Sequence, residues 1–416
     1  MLLIGLISVA ACSSEAAPSG SGVPRVPTTD VTSPVAVETA PATTDPATTD
    51  PATSEPATSE QATTTADSSI VEATVTGVAY PSQPVGVDWP TASWPKVSWP
   101  TGPLPAGVDE AAVRSIIDEA FDPDNGVGTV DALLAVSGGR LVLEQYNGWD
   151  PATAHVSWSM AKSITQAMVG ILVKEGRLDP FAPAPVPEWA DPADPRHDIT
   201  IDDLLRMRSG LMWQEEYSGS SDVITMLFGD GRADRGHYAA DKPLIDETGS
   251  VFSYSTGSSM ILARIVADQV GYGEAGTQWA QENLFGPLGM TSVVHDLDGS
   301  GVMSGGSNIN MTAQDFARFG MLYLRGGAWD GRQVVAQDWV DDAYRSLPDA
   351  PEYGAGWWVD HAEDGSVESF CADGFAGQFI IVVPSLDLVV VALANDQQGR
   401  SDRAARALVE AFASGT

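Results

Sequence analysis

The sequence is poor in cysteine and in positive charge. Cysteine occurs twice in 416 residues, at Cys12 and Cys371, so a framework of several disulfides is excluded. Lysine occurs four times, at positions 96, 162, 174 and 242, and acidic residues outnumber basic ones by 56 to 21. The formal net charge of −35 repels nucleic acid and anionic lipid head groups. We therefore expect no nucleic-acid partner.

Two signatures of common hydrolase classes are missing as well. The five histidines, at positions 155, 197, 237, 295 and 361, show no spacing that is typical of metal ligands. The sequence also lacks the Gly-x-Ser-x-Gly elbow that carries the nucleophile of α/β-hydrolases. These absences disfavour a zinc hydrolase and an α/β-hydrolase, and we expect neither a metal nor another cofactor.

The first 12 residues form an apolar segment that ends in Val-Ala-Ala before Cys12 and is too short to span a bilayer. The segment resembles the end of a bacterial lipoprotein signal peptide, whose cysteine is acylated after cleavage. This resemblance implies an extracytoplasmic protein, anchored to the cell membrane by lipid on Cys12. The usual basic residues are missing, so we expect either a start codon further upstream or a segment that is not a signal.

The next stretches are linkers rather than domains. Residues 13–75 are rich in Thr, Ala and Pro and contain repeated pentads, which predicts a disordered spacer. Residues 76–108 contain Trp-Pro three times, at Trp89, Trp94 and Trp99. Such an arm either packs against the domain or forms a binding strip for sugar or peptide, and we favour packing. The folded domain is expected to span residues 109–416.

A serine and a lysine three residues apart, Ser159 and Lys162, form the most informative motif. Residues at this spacing share one face of a helix, so the lysine can act on the serine proton. A second Ser-x-x-Lys, at Ser93 and Lys96, lies among prolines and has no fixed geometry. The first copy opens a largely apolar segment that predicts a buried helix. The alternative is a solvated lysine on the first turn beside a serine near the N-cap.

Strand patterns lie at both ends of the domain and helical patterns lie between them. We predict a helix over residues 109–121, hairpins over 132–146 and 378–393, and a final helix that Ser401 caps. Residues 157–345 are predicted to be mostly helical. The fold class is therefore α+β, with an antiparallel sheet flanked by N- and C-terminal helices plus an inserted all-α lobe. The cleft between the lobes is the expected site.

Several segments, taken together and in order, resemble the serine β-lactamase and penicillin-binding-protein superfamily, specifically the class C-like branch with esterases and nylon-oligomer (aminohexanoate-dimer) hydrolases. The resemblance covers residues 130–413 and thus implies a β-lactamase/transpeptidase-like fold. The segments that carry it are Leu-Glu-Gln-Tyr at 143–146, Trp-Ser-Met-Ala-Lys-Ser at 158–163, Leu-Leu-Arg-Met-Arg-Ser-Gly at 204–210, Phe-Ser-Tyr-Ser-Thr-Gly at 252–257, Leu-Phe-Gly-Pro-Leu-Gly-Met at 284–290 and Gly-Phe-Ala-Gly-Gln at 374–378.

The resemblance implies a role for each matching residue. Ser159 would be the nucleophile, with Lys162 and Tyr254 as catalytic partners, and either of these two could be the general base. The backbone N–H groups of Ser159 and Phe375 would form the oxyanion hole. The residues implied in substrate binding are Gly374, Tyr217 and Thr256. Tyr217 can equally be read as a surface aromatic residue.

Two departures from the family's motifs bear on the substrate. The third motif reads Ala372-Asp373-Gly374 and lacks the cation that binds the carboxylate of β-lactams and D-Ala-D-Ala termini, and Thr256 stands where many relatives have asparagine. Cys371, beside this motif, is more consistent with a small buried residue than with a second nucleophile. We therefore expect a serine hydrolase for a small-molecule ester or non-peptide amide. The alternatives are a D-alanyl-D-alanine carboxypeptidase or β-lactamase, and a non-catalytic cell-wall or ligand-binding protein.

Overall fold

The computed structural model of the protein describes residues 98–124 and 128–415. Cys12, the spacer of residues 13–75, the Ser93 and Lys96 pair and the first two Trp-Pro units lie outside the described residues, so the expectations for them stay predictions. Within the two described ranges, no helix is both long enough and apolar enough to cross a membrane.

The main sheet is built from strands near both ends of the described chain, and most of the helices lie between them in sequence. The helices are α1 Glu110–Phe121, α2 Ala161–Lys174, α3 Ile201–Leu205, α4 Asp222–Phe228, α5 Arg235–Ala240, α6 Thr256–Val270, α7 Glu274–Ala280, α8 Gly286–Leu288, α9 Ala313–Leu324, α10 Gln337–Ala343 and α11 Arg400–Ala413. The strands are β1 Gly128–Ser137, β2 Arg140–Tyr146, β3 Val294–His295, β4 Ile309–Asn310, β5 Ala328–Trp329, β6 Arg332–Gln333, β7 Trp358–His361, β8 Val367–Gly374, β9 Gln378–Val383 and β10 Leu388–Asp396.

Six of these strands form one antiparallel sheet in the order β2-β1-β10-β9-β8-β7. The predicted hairpins are β1-β2 and β9-β10, and both are confirmed. The first strand pairs with the last, which brings both ends of the domain into one sheet. The fold class predicted from the sequence is therefore confirmed.

The sheet is buried on both faces, because helices cover each of them. Leu133 and Val390 face one core, where they pack with Val113 of α1 and Leu408 of α11. Their neighbours along the strands face the other core, which contains α9 and the central helices. Since successive side chains of a strand point to opposite faces, strands of this kind are apolar without alternation. Cys371 lies in the core under α1 and α11, as expected for a small buried residue.

Helix α2 is buried along most of its length, as the apolar sequence after Lys162 predicts. Every residue from Ala161 to Leu172 is buried. The glycine at 170 allows Trp339 to approach, because a Cβ at that position would lie 2.3 Å from the indole ring. A helix that is buried on every side is packed all round by other elements, so the polar residues of this stretch of α2 face protein groups and not solvent.

The cap of the last helix was predicted wrongly. Helix α11 begins at Arg400, and Gly399, with a φ of 70°, is its N-cap. Ser401 lies inside the first turn and is buried. The first N–H groups instead donate to the carboxylate of Asp396, at 2.5 Å from Arg400 N and 3.2 Å from Ser401 N. A side chain from the preceding strand therefore replaces the local serine cap.

The third unit of the Trp-Pro arm packs against the domain. The Trp99 side chain is buried, its ring lies 5.4 Å from the guanidinium of Arg318, and its indole N–H donates to Gln314 O at 3.4 Å. Leu141 N donates to Pro100 O at 2.9 Å, so the arm also covers the outer edge of β2. At Trp99 the packing interpretation is therefore the one that fits the contacts.

Candidate active site

Ser159 lies in a short 3-10 turn, Trp158–Met160, that leads directly into α2. The residue before it, Trp158, has a φ of 43°, which is a strained conformation for a bulky residue. The turn is held by Ser157, whose hydroxyl donates to Ser307 O at 2.8 Å and accepts from Ile309 N at 3.0 Å. This clamp fixes the backbone of Ser159 while its side chain stays half-buried.

Lys162 is buried beside Ser159 and has three hydrogen-bond partners. Its Nζ lies 3.0 Å from Ser159 Oγ, 2.9 Å from Thr256 Oγ1 and 3.0 Å from Gly306 O. The side chain is nearly inaccessible, so the alternative of a solvated lysine is wrong. Burial lowers the pKa of Lys162 to about 8, although the nearby carboxylates of Glu215 and Asp373 act in the opposite direction.

Tyr254 lies just before α6 and completes the predicted set around Ser159. Its ring is 4.9 Å from Lys162 Nζ, stacks on Trp358 at 5.4 Å and meets Tyr353 edge-on at 5.9 Å. Burial among these rings raises the pKa of Tyr254 well above its ordinary value, and a hydrogen bond with Ser159 opposes that effect only in part. The phenol therefore stays protonated at neutral pH, whereas a fraction of Lys162 is neutral amine.

Glu215 is part of the site and was not identified from the sequence. Its Oε2 accepts from Thr256 N at 2.9 Å and from Trp213 Nε1 at 2.5 Å, and its Oε1 accepts from the hydroxyls of Thr256 and Tyr217. The only local signal is an acidic residue beside Trp213 and Tyr217. Its partnership with Thr256, 41 positions away, depends on the tertiary fold.

Thr256 contacts Lys162 and is buried in this structure. The side chain is buried, and its hydroxyl lies between Lys162 Nζ and Glu215 Oε1. Because both sides of the hydroxyl are occupied by protein groups, the contacts favour a positioning role for Thr256 over the substrate contact that the family resemblance implied.

Tyr217 and Phe375 form an aromatic wall next to Ser159. The Tyr217 ring lies 5.0 Å from that of Phe375, which meets Trp158 edge-on at 5.7 Å. The Tyr217 hydroxyl donates to Glu215 at 3.1 Å and also interacts with the Ser159 side chain. Tyr217 as a whole residue is 43% exposed, so it is both a surface aromatic residue and a neighbour of the predicted nucleophile.

The end of β8 touches the segment that carries the nucleophile. A Cβ on Gly374 would lie 2.4 Å from Ser157 O, so only glycine permits this approach. Phe375 follows directly, which brings the two predicted oxyanion donors, the N–H groups of Ser159 and Phe375, to neighbouring segments. Their role stays a prediction.

The third motif, Ala372-Asp373-Gly374 at the end of β8, contains the carboxyl group of Asp373 and no cation. Ala372 is buried in the inner core. Burial raises the pKa of Asp373 well above its ordinary value, the carboxylate of Asp402 adds to this effect, and Arg406 and Lys162 oppose it. Across the described parts of the chain, no group of three or more His, Cys, Asp or Glu residues is arranged to hold a metal ion.

Comparison with known proteins bears on the family of the chain. The sequence profile of the family described as Beta-lactamase matches residues 117–414. A 6-aminohexanoate-dimer hydrolase of Paenarthrobacter ureafaciens is 30% identical over 291 residues, which cover 64% of this chain and 72% of that protein.

Solved structures share the fold at lower identity. A family VIII carboxylesterase has a TM-score of 0.58 at 16% identity, covering 75% of this chain and 99% of that one. A penicillin-binding protein homolog from Caulobacter crescentus has a TM-score of 0.57 at 17% identity, with the same two coverages. The profile match spans more than half of the sequence, and the chain therefore belongs to the β-lactamase family of serine hydrolases.

Proposed function

We propose that this hydrolase forms an acyl-enzyme on Ser159 and cleaves a carboxylic ester or a non-peptide amide of a small molecule. The observation that carries the proposal is the 3.0 Å contact between Lys162 Nζ and Ser159 Oγ. A buried lysine whose pKa is lowered to about 8 is a base that can work near neutral pH. The contact therefore joins a nucleophile to the group that activates it.

In the acylation step, the neutral amine of Lys162 accepts the proton of Ser159 while Oγ forms a bond to the substrate carbonyl carbon. The negative charge that develops on the carbonyl oxygen is expected to be stabilised by the N–H groups of Ser159 and Phe375. The bond to the leaving alcohol or amine then breaks, and the leaving group takes a proton from the lysine ammonium, with Tyr254 as the hydroxyl that can relay it. Water then takes the place of the leaving group: it gives a proton to Lys162 and bonds to the acyl carbon, the bond to Ser159 Oγ breaks, and Oγ takes the proton back from the lysine ammonium.

The substrate class follows from what surrounds the nucleophile. Asp373 and the buried Ala372 occupy the segment where a cation would hold a substrate carboxylate, which disfavours β-lactams and D-Ala-D-Ala termini. The similar protein from Paenarthrobacter ureafaciens is named a 6-aminohexanoate-dimer hydrolase, which supports a non-peptide amide. The aromatic wall of Tyr217 and Phe375 offers an apolar surface to an acyl chain.

The direct test is chemical labelling of the full-length protein. A fluorophosphonate probe should modify it once, and peptide mapping should place the adduct on Ser159. On the same sample, p-nitrophenyl butyrate should be hydrolysed with a kcat/KM roughly 100-fold or more above that of nitrocefin, because the site lacks a partner for the β-lactam carboxylate. Nitrocefin turnover that matches ester turnover would support the β-lactamase or carboxypeptidase alternative, and absence of both activities would support a non-catalytic protein.

The activity should depend on pH through Lys162. Below pH 8 the lysine is mostly an ammonium, which cannot accept a proton, so kcat/KM for a neutral ester should fall about tenfold per pH unit below that value and level off above it. Measurement of kcat/KM for p-nitrophenyl butyrate between about pH 5 and pH 11 checks this. A rise that appears only above about pH 10 would instead indicate a Tyr254 phenolate as the base.

We further propose that the protein is anchored outside the cell membrane by lipid on Cys12. The support is the apolar segment and the Val-Ala-Ala-Cys sequence at residues 9–12. In a bacterial host, the wild-type protein should fractionate with membranes, and Cys12→Ser should move it to the soluble extracytoplasmic fraction. Equal distribution of the two proteins would contradict the anchor.

A further inference from the structure

Glu215 is connected to Lys162 through the hydroxyl of Thr256. Both oxygens of the Glu215 carboxylate accept hydrogen bonds, and those on Oε2 come from two N–H groups that can only donate, Thr256 N at 2.9 Å and Trp213 Nε1 at 2.5 Å. Its Oε1 faces the hydroxyl of Thr256, whose oxygen lies 2.9 Å from Lys162 Nζ. The carboxylate thus lies one hydroxyl group away from the base of the proposed reaction.

A threonine hydroxyl is ambiguous in this position, because it can donate or accept. If its hydrogen points at the neutral amine of Lys162, it occupies the lone pair that must take the Ser159 proton. If its hydrogen points at Glu215, the oxygen can only accept from the lysine. A carboxylate acceptor next to the hydroxyl selects the second orientation.

The donors of Lys162 then determine where its lone pair points. A neutral amine has two N–H groups and one lone pair. Gly306 O, at 3.0 Å, accepts one N–H, and Thr256 Oγ1 accepts the other. The remaining direction leads to Ser159 Oγ at 3.0 Å.

We propose that Glu215 is a positioning residue that fixes the Thr256 hydroxyl as an acceptor and thereby directs the lone pair of Lys162 at Ser159. The inference rests on the proposed function, since it assigns a task only within acylation of Ser159. Glu215 has no need to touch the substrate. Its carboxylate and that of Asp373 of β8 both act on the charge of Lys162, and the ring of Tyr254 lies 4.9 Å from Lys162 Nζ.

The competing explanation is that Glu215 merely holds the loop that carries Trp213 and Tyr217. Both side chains of this loop donate to it, at 2.5 Å and 3.1 Å. Loss of a loop contact would weaken substrate binding and raise KM. Loss of the hydroxyl orientation would slow acylation and change its pH dependence, so kinetics can separate the two explanations.

The substitution Glu215→Gln tests the proposal sharply. Two N–H donors contact Oε2, so in the variant the amide oxygen of the glutamine must take the place of Oε2. The NH2 group of the glutamine then takes the place of Oε1, against Thr256 Oγ1. That NH2 donates to the hydroxyl and turns the threonine hydrogen toward Lys162. The amine lone pair is then occupied, although the shape of the side chain is almost unchanged.

We expect Glu215→Gln to lower the plateau of kcat/KM for p-nitrophenyl butyrate by about 10- to 100-fold, the usual cost of a misdirected hydrogen bond to such a group. The acid side of its pH profile, where kcat/KM falls, should also move to lower pH. The reason is that the lost negative charge no longer favours the ammonium form of Lys162. The matched control is Glu216→Gln, the same change at an exposed neighbouring residue, which should leave both quantities at their wild-type values. Thermal denaturation checks that both variants are folded.

A double-mutant cycle with Thr256→Val identifies the route of the effect. Valine has no hydroxyl hydrogen, so Glu215→Gln should cost less than about 3-fold in that background. If Glu215→Gln lowers kcat/KM equally in the wild-type and Thr256→Val backgrounds, the proposal is overturned. It is also overturned if Glu215→Gln raises KM while the acid side of its pH profile stays in place. If that variant does not fold, Glu215→Asp keeps the charge but not the reach, and a wild-type plateau for it would overturn the proposal equally.

Failure of this inference can be told from failure of the proposed function. If the wild-type protein neither reacts with a fluorophosphonate nor hydrolyses the ester, the acyl-enzyme is wrong and the role of Glu215 falls with it. If the wild-type protein reacts at Ser159 and Glu215→Gln reacts at the same rate with the same pH dependence, only the role of Glu215 is wrong.

Discussion

Lys162→Met is expected to make Ser159 almost unreactive, so that the variant behaves nearly like Ser159→Ala, which has no nucleophile. Methionine fills the buried space of the lysine chain but cannot accept a proton, and the acylation rate should fall by about 10³- to 10⁴-fold. The 3.0 Å contact between Nζ and Ser159 Oγ is the reason for so large an effect. The measurement is the second-order rate of fluorophosphonate labelling, with Ser159→Ala, which should show no labelling, as the lower limit.

The control for this substitution is available on the same helix. Lys174→Met makes the same chemical change at the exposed end of α2, and it should label at the wild-type rate. Removal of a buried amine and its hydrogen bonds can also alter stability, so thermal denaturation accompanies the rates. A folded Lys162→Met protein that labels within about tenfold of wild type would contradict the assignment of Lys162 as the base and favour Tyr254.

The parts of the fold that were predictable from sequence are those with a local pattern. The hairpins β1-β2 and β9-β10 have apolar strands around short turns, and the turn and helix from Ser159 through α2 combine a serine-lysine pair at helical spacing with an apolar sequence. Each of these signals lies within about 20 residues of sequence. Local spacing therefore predicted the neighbourhood of Ser159 and Lys162, and the family resemblance implied Tyr254.

The parts that were not predictable depend on contacts between distant residues. Glu215 is one of 56 acidic residues, and nothing in its neighbours indicates that it will reach Thr256. The same reason explains the error at α11, where the carboxylate of Asp396 replaces a cap by Ser401. A side chain from another element can accept hydrogen bonds from the first N–H groups of a helix as well as a neighbouring serine can. Sequence spacing alone therefore could not choose between Asp396 and Ser401.

Glu215 and its contact with Thr256 also explain how a threonine can stand where many relatives of the family have asparagine. The side-chain oxygen of an asparagine amide can only accept a hydrogen bond, whereas a threonine hydroxyl needs a neighbour that fixes its direction. In this chain the neighbour is Glu215. The pair of residues therefore supplies the acceptor that Lys162 needs, and neither residue supplies it alone.

Gly374→Ala is expected to reduce kcat by about 10²- to 10³-fold, the loss typical of a damaged oxyanion hole. The added methyl group would lie 2.4 Å from Ser157 O, a distance that no real Cβ tolerates, so one of the two segments must move. Ser157 resists movement, because its hydroxyl bonds to Ser307 O and Ile309 N and its N–H donates to Asn310 at 3.1 Å. The end of β8 should therefore shift and carry Phe375 N away from Ser159.

Two comparisons separate this effect from general damage to the protein. Gly102→Ala makes the same change beside the edge strand β2, where the new methyl group would lie 3.1 Å from the flexible side chain of Arg140 and 3.9 Å from that of Val142, and it should keep wild-type kinetics. In Gly374→Ala, kcat and kcat/KM for p-nitrophenyl butyrate should fall by similar factors, since the oxyanion contact forms only in the transition state. A folded Gly374→Ala protein with wild-type kcat would mean that Phe375 N does not stabilise the oxyanion, because the displacement of β8 that the methyl group forces would then leave the chemical step unchanged.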